Sequence, residues 1–356
     1  MRQADPVILD ATRRILREVA DPQARRAGED PRARRAAAWQ ALDGAGLPRA
    51  WVPEAAGGAG AGLVEGFAIL TLAGEAALDV PLAETLLAGW LAAAAGLSVP
   101  DGALAPAGLG DDLIALGADG RLTGQAAGVP FAREADRLAV LGRRASGEGV
   151  VAIVERAACA VTARDNLAGE PRDRVRFDGA LPSALAPASP ELSDRLLAMG
   201  AVARACQMSG ALQAILARSV AYAGERVAFD RPIGRFQAIQ HALARLAGEA
   251  AIALAASGSA ADALAAEPGE ADEDGAFLEV ASAKIRVGEA AAAGAAIAHQ
   301  VHGAIGFALE HPLHHYTRRL WAWRDDFGSE SAWAVRLGAR VARRGADALW
   351  PVLAAR

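Results

Sequence analysis

The chain has 356 residues, more than one hydrophobic core usually serves, so we expect two or three domains. A net charge of −5 without a dense basic stripe argues against a nucleic-acid partner. The longest apolar run, residues 86–97, is too short to span a bilayer, which takes about 20 residues. With no secretory leader at the start and two cysteines in unrelated contexts, we expect a cytoplasmic protein outside the membrane.

The first third of the chain is predicted to be helical. Apolar residues recur at helical spacing over residues 8–19 and again over 37–42. Two further helices are predicted at about 63–78 and 82–96. The loop at 52–62 carries several glycines, but they do not fit the G-x-G-x-x-G fingerprint of a dinucleotide-binding turn, and a proline stands where its strand would be.

The periodicity changes in the middle of the chain. Short apolar or alternating runs occur at 113–116, 138–141, 150–154 and 175–177, separated by turn clusters such as Ala118-Asp119-Gly120. Several short strands joined by tight turns are typical of a small β-sandwich or β-barrel.

From Glu191 onward the pattern is helical again. Long helices are predicted at about 191–224, from about 236, at about 275–298 and at 331–349, and four such helices with short links describe a bundle. The fold class is therefore α+β, mainly α. We expect an N-terminal helical domain (1–103), a small β domain (104–190) and a C-terminal four-helix bundle (191–356).

The first segment with chemical potential runs from Arg226 to Gln237. One helix ends there, Pro232 and Gly234 force a turn, and Gln237 lies in the first turn of the next helix. Free N–H groups at a helix start, together with nearby guanidinium groups, form a ready site for phosphate. The alternative is a plain helical joint with surface arginines.

The second segment covers residues 299–318. Glycines in its loop let a ligand approach the backbone. Glu310 has apolar neighbours and is either a desolvated base or a structural acid paired with Arg318. His311 and His315 have the spacing of metal ligands on one helix face, and five of the six histidines fall in this segment. No pattern supplies the remaining ligands, so we predict no metal site.

The third segment is Trp323 to Glu330. Asp325 and Asp326 stand side by side between aromatic residues, and two adjacent carboxylates cannot both ionise cheaply in a dry site. The alternative is a solvated acidic turn that caps a helix beginning near Ser331.

In this order and spacing, the three segments resemble the C-terminal domain of the acyl-CoA dehydrogenases. That family has the same sequence of helical, β and helical-bundle domains, and weaker similarity extends over nearly the whole chain. The resemblance implies an FAD cofactor. By this resemblance, Arg226, Phe229 and Gln237 hold FAD, typically the cofactor of a neighbouring subunit. The other FAD-contacting residues are Gln300, Val301, His302, Gly303 and Ala304 in an adenylate loop, and Gly328 and Ser329.

The resemblance also implies a reaction and partners. An acyl-CoA thioester substrate would lose its α-proton to a carboxylate and its β-hydrogen as hydride to flavin N5. An electron-transfer flavoprotein would accept the electrons. The chain would work as a homo-oligomer or in a heterotetramer with a larger acyl-CoA dehydrogenase subunit, as in the heteromeric bacterial enzymes that act on steroid side chains.

The sequence departs from the family pattern at several places, and one of them is Asp230, which stands where a glycine is usual. Phe327 stands where the catalytic glutamate is usual, and Asp326 beside it is the best candidate base. The usual flavin-cradling motifs of the middle domain are replaced at 104–108 and 129–132. Three hypotheses follow: a working dehydrogenase subunit with Asp326 as base, a non-catalytic FAD-binding partner subunit, or an unrelated helical scaffold or metal protein.

Overall fold

The computed structural model describes residues 4–20, 30–110, 112–266, 273–345, 347 and 349–354, and helices come first along the chain. The first two helices each begin with an aspartate cap followed by a proline at the first helical position, which suits the unpaired N–H groups there. The N-terminal helices are α1 (Pro6–Val19), α2 (Pro31–Gly44), α3 (Leu63–Glu75) and α4 (Leu82–Ala94).

A single sheet follows, and it is buried on both faces near its middle. The strand order is β6-β7-β3-β2-β4-β5-β8, with β1 pairing parallel to β4. In β5, Val150 and Ala152 face the core of the sheet domain, whereas Val151 and Ile153 face the helices. The strands are β1 (Leu104–Ala107), β2 (Leu113–Leu116), β3 (Leu122–Pro130), β4 (Arg137–Arg144), β5 (Gly149–Glu155), β6 (Ala160–Thr162), β7 (Arg172–Ala180) and β8 (Ala184–Pro187).

The C-terminal part is a set of long helices built around α5. This helix has 34 residues and is therefore about 51 Å long. Glycines let it approach α3 closely, since a Cβ at Gly210 would lie 1.9 Å from the Thr71 carbonyl oxygen. The elements are α5 (Leu192–Glu225), a hairpin of β9 (Val227–Ala228) and β10 (Arg231–Pro232), α6 (Gln237–Leu264), α7 (Glu273–His302), α8 (Leu313–Asp325), α9 (Glu330–Arg344) and α10 (Leu349–Ala354).

The predicted fold class is confirmed, but two helices, α8 and the short α10, were not predicted. The sequence did not reveal α8, because Thr317 and Arg319 occupy buried positions and break its apolar pattern. The helix predicted at 331–349 ends earlier, at Arg344. Among the described helices, none is long and apolar enough to cross a membrane.

Candidate functional site

The C-terminal end of α5 leads into a tight, strained turn. Phe229 and Asp230 join β9 to β10, and both have positive φ angles, +52° and +62°. Positive φ at both central residues is the pattern of a type I′ hairpin, which normally uses glycine or asparagine. The Phe229 side chain is 88% exposed. Arg226 caps the end of α5 and Gln237 begins α6, and both are exposed.

The loop after α7 lies against the last turns of α5. The Tyr222 ring stacks on the His302 ring with centroids 4.6 Å apart, and the Tyr222 hydroxyl donates to the His302 carbonyl oxygen at 3.3 Å. The second segment predicted from the sequence thus contacts the helix that leads into the first segment. Gln300, Gly303 and Ala304 are exposed, whereas the side chains of Val301 and His302 are buried.

The surroundings of two histidines near this loop, His299 and His302, lower the pKa of each. Burial lowers the pKa of His302, although a hydrogen bond to Ala298 opposes this shift. Its Nδ1 lies 2.8 Å from the Ala298 carbonyl oxygen, which can only accept, so Nδ1 carries the hydrogen. Burial, and then the nearby His302 and His314, lower the pKa of His299.

Two other interpretations of the second segment were a metal site on its histidines and a role for Glu310 as a base or as a partner of Arg318. No group of three His, Cys, Asp or Glu side chains suited to a metal occurs within the described ranges. Glu310 is exposed rather than desolvated. The predicted pairing of Glu310 with Arg318 was wrong, since the Arg318 guanidinium donates instead to the Leu167 carbonyl oxygen at 2.6 Å.

Near the opposite end of α5, Arg204 is the centre of a buried charge network. Its Nε donates to Asp326 Oδ2 at 2.9 Å, and its two terminal nitrogens donate to Glu84 and Gln207, each at 2.6 Å. The second oxygen of Asp326 forms an ion pair with Arg172 of β7. Asp326 is 2% exposed, so the expectation of a solvated acidic turn was wrong at this residue. The network joins the N-terminal helices, the sheet and the bundle.

The charges in this network depend on one another. Burial raises the pKa of the Glu84 carboxyl, and the charge of Arg204 opposes that shift. Burial alone would lower the pKa of Arg204, but the carboxylates of Glu84 and Asp326 outweigh it and raise the pKa, so this guanidinium stays charged. The sequence offered one clue to this network, because Glu84 is the only charged residue of helix α4.

The segment after Asp326 turns sharply into α9. Phe327 has a φ of +55°, and its ring covers Gly200 so closely that a Cβ there would lie 2.3 Å from a ring atom. Its carbonyl oxygen accepts a hydrogen bond from Trp333 Nε1 at 2.9 Å. The Ser329 hydroxyl accepts from the Ala332 amide at 3.3 Å and caps α9.

Lys284, the only lysine of the chain, supports the same segment. Its Nζ donates to the Arg324 carbonyl oxygen in the last turn of α8 at 2.6 Å. Burial lowers the pKa of Lys284 to about 8, while the carboxylates of Asp326 and Glu330 act in the opposite direction.

A cavity of about 210 Å³ separates this segment from the sheet domain. It is lined by residues 106–110 and 127–130, which overlap the positions where the usual flavin-cradling motifs are replaced, and by Phe327 and Gly328. Arg172 and Asp112 also line it. Arg172 is engaged by Asp326, and Asp112 accepts a hydrogen bond from the Ala127 amide.

The two groups of predicted cofactor residues lie at opposite ends of α5. Leu197 lines the cavity, and Arg226 follows 29 positions later, which corresponds to about 43 Å along the helix. One dinucleotide does not reach that far. Within one chain, therefore, Gly328 and Ser329 do not share a site with the residues from Arg226 to Gln237 and from Gln300 to Ala304.

Comparison with known proteins decides the family. The profile of the acyl-CoA dehydrogenase C-terminal domain matches residues 191–324. The chain is 30% identical over 312 residues to the acyl-CoA dehydrogenase FadE27 of Mycobacterium tuberculosis, covering 78% of this chain and 80% of that relative. The chain belongs to the acyl-CoA dehydrogenase family.

Other members of this acyl-CoA dehydrogenase family align over most of their length. The acyl-CoA dehydrogenase IpdE2 of Mycolicibacterium smegmatis is 26% identical over 328 residues, covering 90% of this chain and 93% of the relative. A chain of the ChsE4-ChsE5 complex from Mycobacterium tuberculosis superposes with a TM-score of 0.81 at 26% identity, covering 96% and 98% of the two chains. A Tcur3481-Tcur3483 steroid ACAD variant superposes with a TM-score of 0.79 at 26% identity, covering 95% of this chain and 97% of that chain.

Proposed function

We propose that this chain is an FAD-binding partner subunit of a heteromeric acyl-CoA dehydrogenase, in which a larger chain supplies the catalytic base. The observation that carries the proposal is the state of residues 326 and 327. A phenyl ring stands at the usual base position, and the neighbouring carboxylate of Asp326 is bound by two guanidinium groups.

A catalytic base needs an oxygen free to reach the substrate proton, at about 2.6–3.2 Å. Both oxygens of Asp326 are engaged, one by Arg204 and one by Arg172, and the side chain is buried. To accept a proton, Asp326 would have to leave a network in which Arg204 also neutralises Glu84. Asp326 as the base stays a prediction, and its contacts favour a structural role.

The exposed end of α5 fits the adenylate part of FAD. Arg226 caps the end of α5 and α6 begins at Gln237, and a guanidinium together with the N–H groups of a helix start binds pyrophosphate well. Gly303, with a φ of +64° and nothing within 4 Å of an added Cβ, leaves backbone open to a ligand. Bound FAD supplies the hydride acceptor for α,β-dehydrogenation.

The sheet-side cavity is a poorer place for the flavin ring. The charged side chains that line it, Arg172 and Asp112, already have partners within the protein. Because Leu197 at the cavity and Arg226 are about 43 Å apart along α5, we infer that this chain completes a cofactor site whose ring-binding half belongs to the larger chain.

The apolar surface around the exposed end supports an assembly. Phe229 in the turn after α5, and Phe307 and Leu309 in the loop after α7, are 88%, 69% and 81% exposed, and large exposed apolar side chains are typical of a surface covered by another protein when they form a patch. Similar structures include the ChsE4-ChsE5 complex and a Tcur3481-Tcur3483 steroid ACAD. By that similarity we propose a steroid side-chain acyl-CoA as substrate and an electron-transfer flavoprotein as acceptor.

Co-expression with a larger acyl-CoA dehydrogenase chain that retains the usual glutamate tests the proposal. We expect a yellow complex that reduces a dye when acyl-CoA is added, and little flavin on this chain purified alone. A chain that is yellow and active by itself would contradict the partner role.

The Asp326→Asn variant of that complex separates the two roles of this residue. If Asp326 is structural, turnover per bound flavin stays within about twofold of the unaltered complex, while the melting temperature falls because a buried charge network is weakened. Asp325→Asn, at an exposed neighbouring position, is the matched control. Loss of all turnover with FAD still bound would instead identify Asp326 as the base.

A further inference from the structure

A second concave surface lies between α1, α3, α5 and α8. Its volume is about 430 Å³, within the range of roughly 300–1,000 Å³ that small-molecule pockets usually have. None of the residues that line it is among those predicted to contact FAD. The lining residues are Arg13, Leu16, Arg17 and Ala20 of α1, Leu72, Glu75 and Ala76 of α3 and its end, Arg218 of α5 and Tyr316 of α8.

The wall of this cleft is apolar and its rim is positively charged. Leu16, Ala20, Leu72 and Ala76 line it together with the buried Tyr316. Three arginines and one glutamate give the lining a formal charge of 3 − 1 = +2.

The arginines of the rim differ in how they are neutralised. Arg13 forms an exposed ion pair with Asp10 at 2.9 Å. Within the part of the chain that the structure describes, neither Arg17 nor Arg218 is paired with an acid. The Arg218 guanidinium lies 5.3 Å from the centre of the Tyr316 ring, which orients it by a cation–π contact. Two guanidinium groups from different helices, neither of them in an ion pair with an acid of the described residues, therefore border an apolar wall, with Glu75 on the same rim.

We propose that this cleft binds a small carboxylate with an apolar body. Arg17 and Arg218 would hold the carboxylate, since the guanidinium fork matches two carboxylate oxygens. The apolar body would lie against Leu16 and Leu72, where it leaves water. Glu75 at the rim repels a phosphate dianion more strongly than a carboxylate, because the phosphate carries a second negative charge. The proposal does not depend on the cofactor role proposed above.

Calorimetric titration of the whole purified chain tests this site with three probes: decanoate, 1-decanol and inorganic phosphate. The first has the charge and the apolar body, the second lacks the charge and the third lacks the body. We expect decanoate to bind at least tenfold more tightly than either of the others. Binding of phosphate tighter than decanoate, equal binding of decanol, or no binding of decanoate would each overturn the proposal.

Substitutions of single arginines test whether decanoate binds in this cleft. Arg17→Gln and Arg218→Gln should each weaken decanoate binding at least fivefold. Arg14→Gln removes the same charge from the same helix, outside the cleft lining, and should leave the affinity unchanged. Arg17 is exposed, so its replacement is not expected to disturb folding even if that of Arg218 does. An affinity unaffected by Arg17→Gln, or lowered equally by Arg14→Gln, would refute the assignment.

Discussion

The two ends of helix α5 are built in opposite ways. Toward its N-terminal end, Arg204 is 3% exposed, and its polar contacts lie within the chain, with Glu84, Gln207 and Asp326. At its C-terminal end, Arg226 and the ring of Phe229 face solvent. The end around Arg204, which we call the closed end, has its charge compensated within one protomer. The end around Arg226 and Phe229, which we call the open end, presents a charge and an apolar surface that a ligand or another protein can cover.

This difference separates residues that maintain the fold from residues available for binding. A charge in a buried network cannot be withdrawn without leaving its partners uncompensated, so its replacement should affect stability first. A charge at the open end contributes little to folding, and its replacement should affect binding first. Each prediction below tests one side of that contrast.

The largest effect is expected for Arg204→Met. The change leaves the carboxylates of Glu84 and Asp326 buried without their shared cation, which typically costs about 3–5 kcal/mol. The free energy of unfolding in urea measures this loss. Arg195→Met, at an exposed position of the same helix, is the control and should cost less than about 1 kcal/mol. Equal losses in the two variants would remove the distinction between the closed end and the rest of the helix.

A pH-dependent effect is expected for Lys284→Met. Because the pKa of Lys284 is lowered from 10.5 to about 8 in the folded chain, the unfolded chain holds this proton more tightly over that interval. The contribution of Lys284 to the free energy of unfolding therefore rises as the pH increases from about 8 to 10.5. The same contribution is lost when the pH is lowered from 10.5 through 8. The difference in unfolding free energy, native chain minus variant, should grow by about 3 kcal/mol across this range. All other ionisable groups are the same in the two proteins, so their contributions cancel in the difference. A difference that is constant with pH would show that Lys284 is not desolvated.

The smallest effect on folding is expected for Phe229→Ser. The ring is 88% exposed, so the free energy of unfolding should change by less than about 0.5 kcal/mol. The same change should reduce the fraction that co-purifies with a larger subunit and the flavin retained by the complex. Leu181→Ser, another exposed apolar position, should leave both quantities unchanged. If Phe229→Ser instead lowers stability by several kcal/mol, the open end is part of the folding core.

The sequence predicted the open end of α5 better than the closed one. The turn from Arg226 to Gln237 and the loop after His302 are continuous segments, so glycine, proline and helix-start signals locate them locally. The network around Arg204 joins residues about 120 positions apart, and nothing in the periodicity shows that Glu84 and Asp326 converge on one guanidinium. The same limitation hid α8, in which Arg319 is buried although its position looks exposed in the sequence. Pairing of buried charges depends on tertiary packing, which a local pattern does not encode.

The solitary lysine has a consequence for chemistry with thioesters. Activated acyl groups transfer spontaneously to neutral ε-amines that reach solvent, and most proteins carry many such amines. In this chain Lys284 has no exposed surface, and its nitrogen is hydrogen-bonded to the Arg324 carbonyl oxygen. The folded chain therefore presents no lysine to accidental acylation by its proposed substrates. For the same reason, any cross-link that an amine-specific reagent forms through a lysine in an assembly must start from the other subunit.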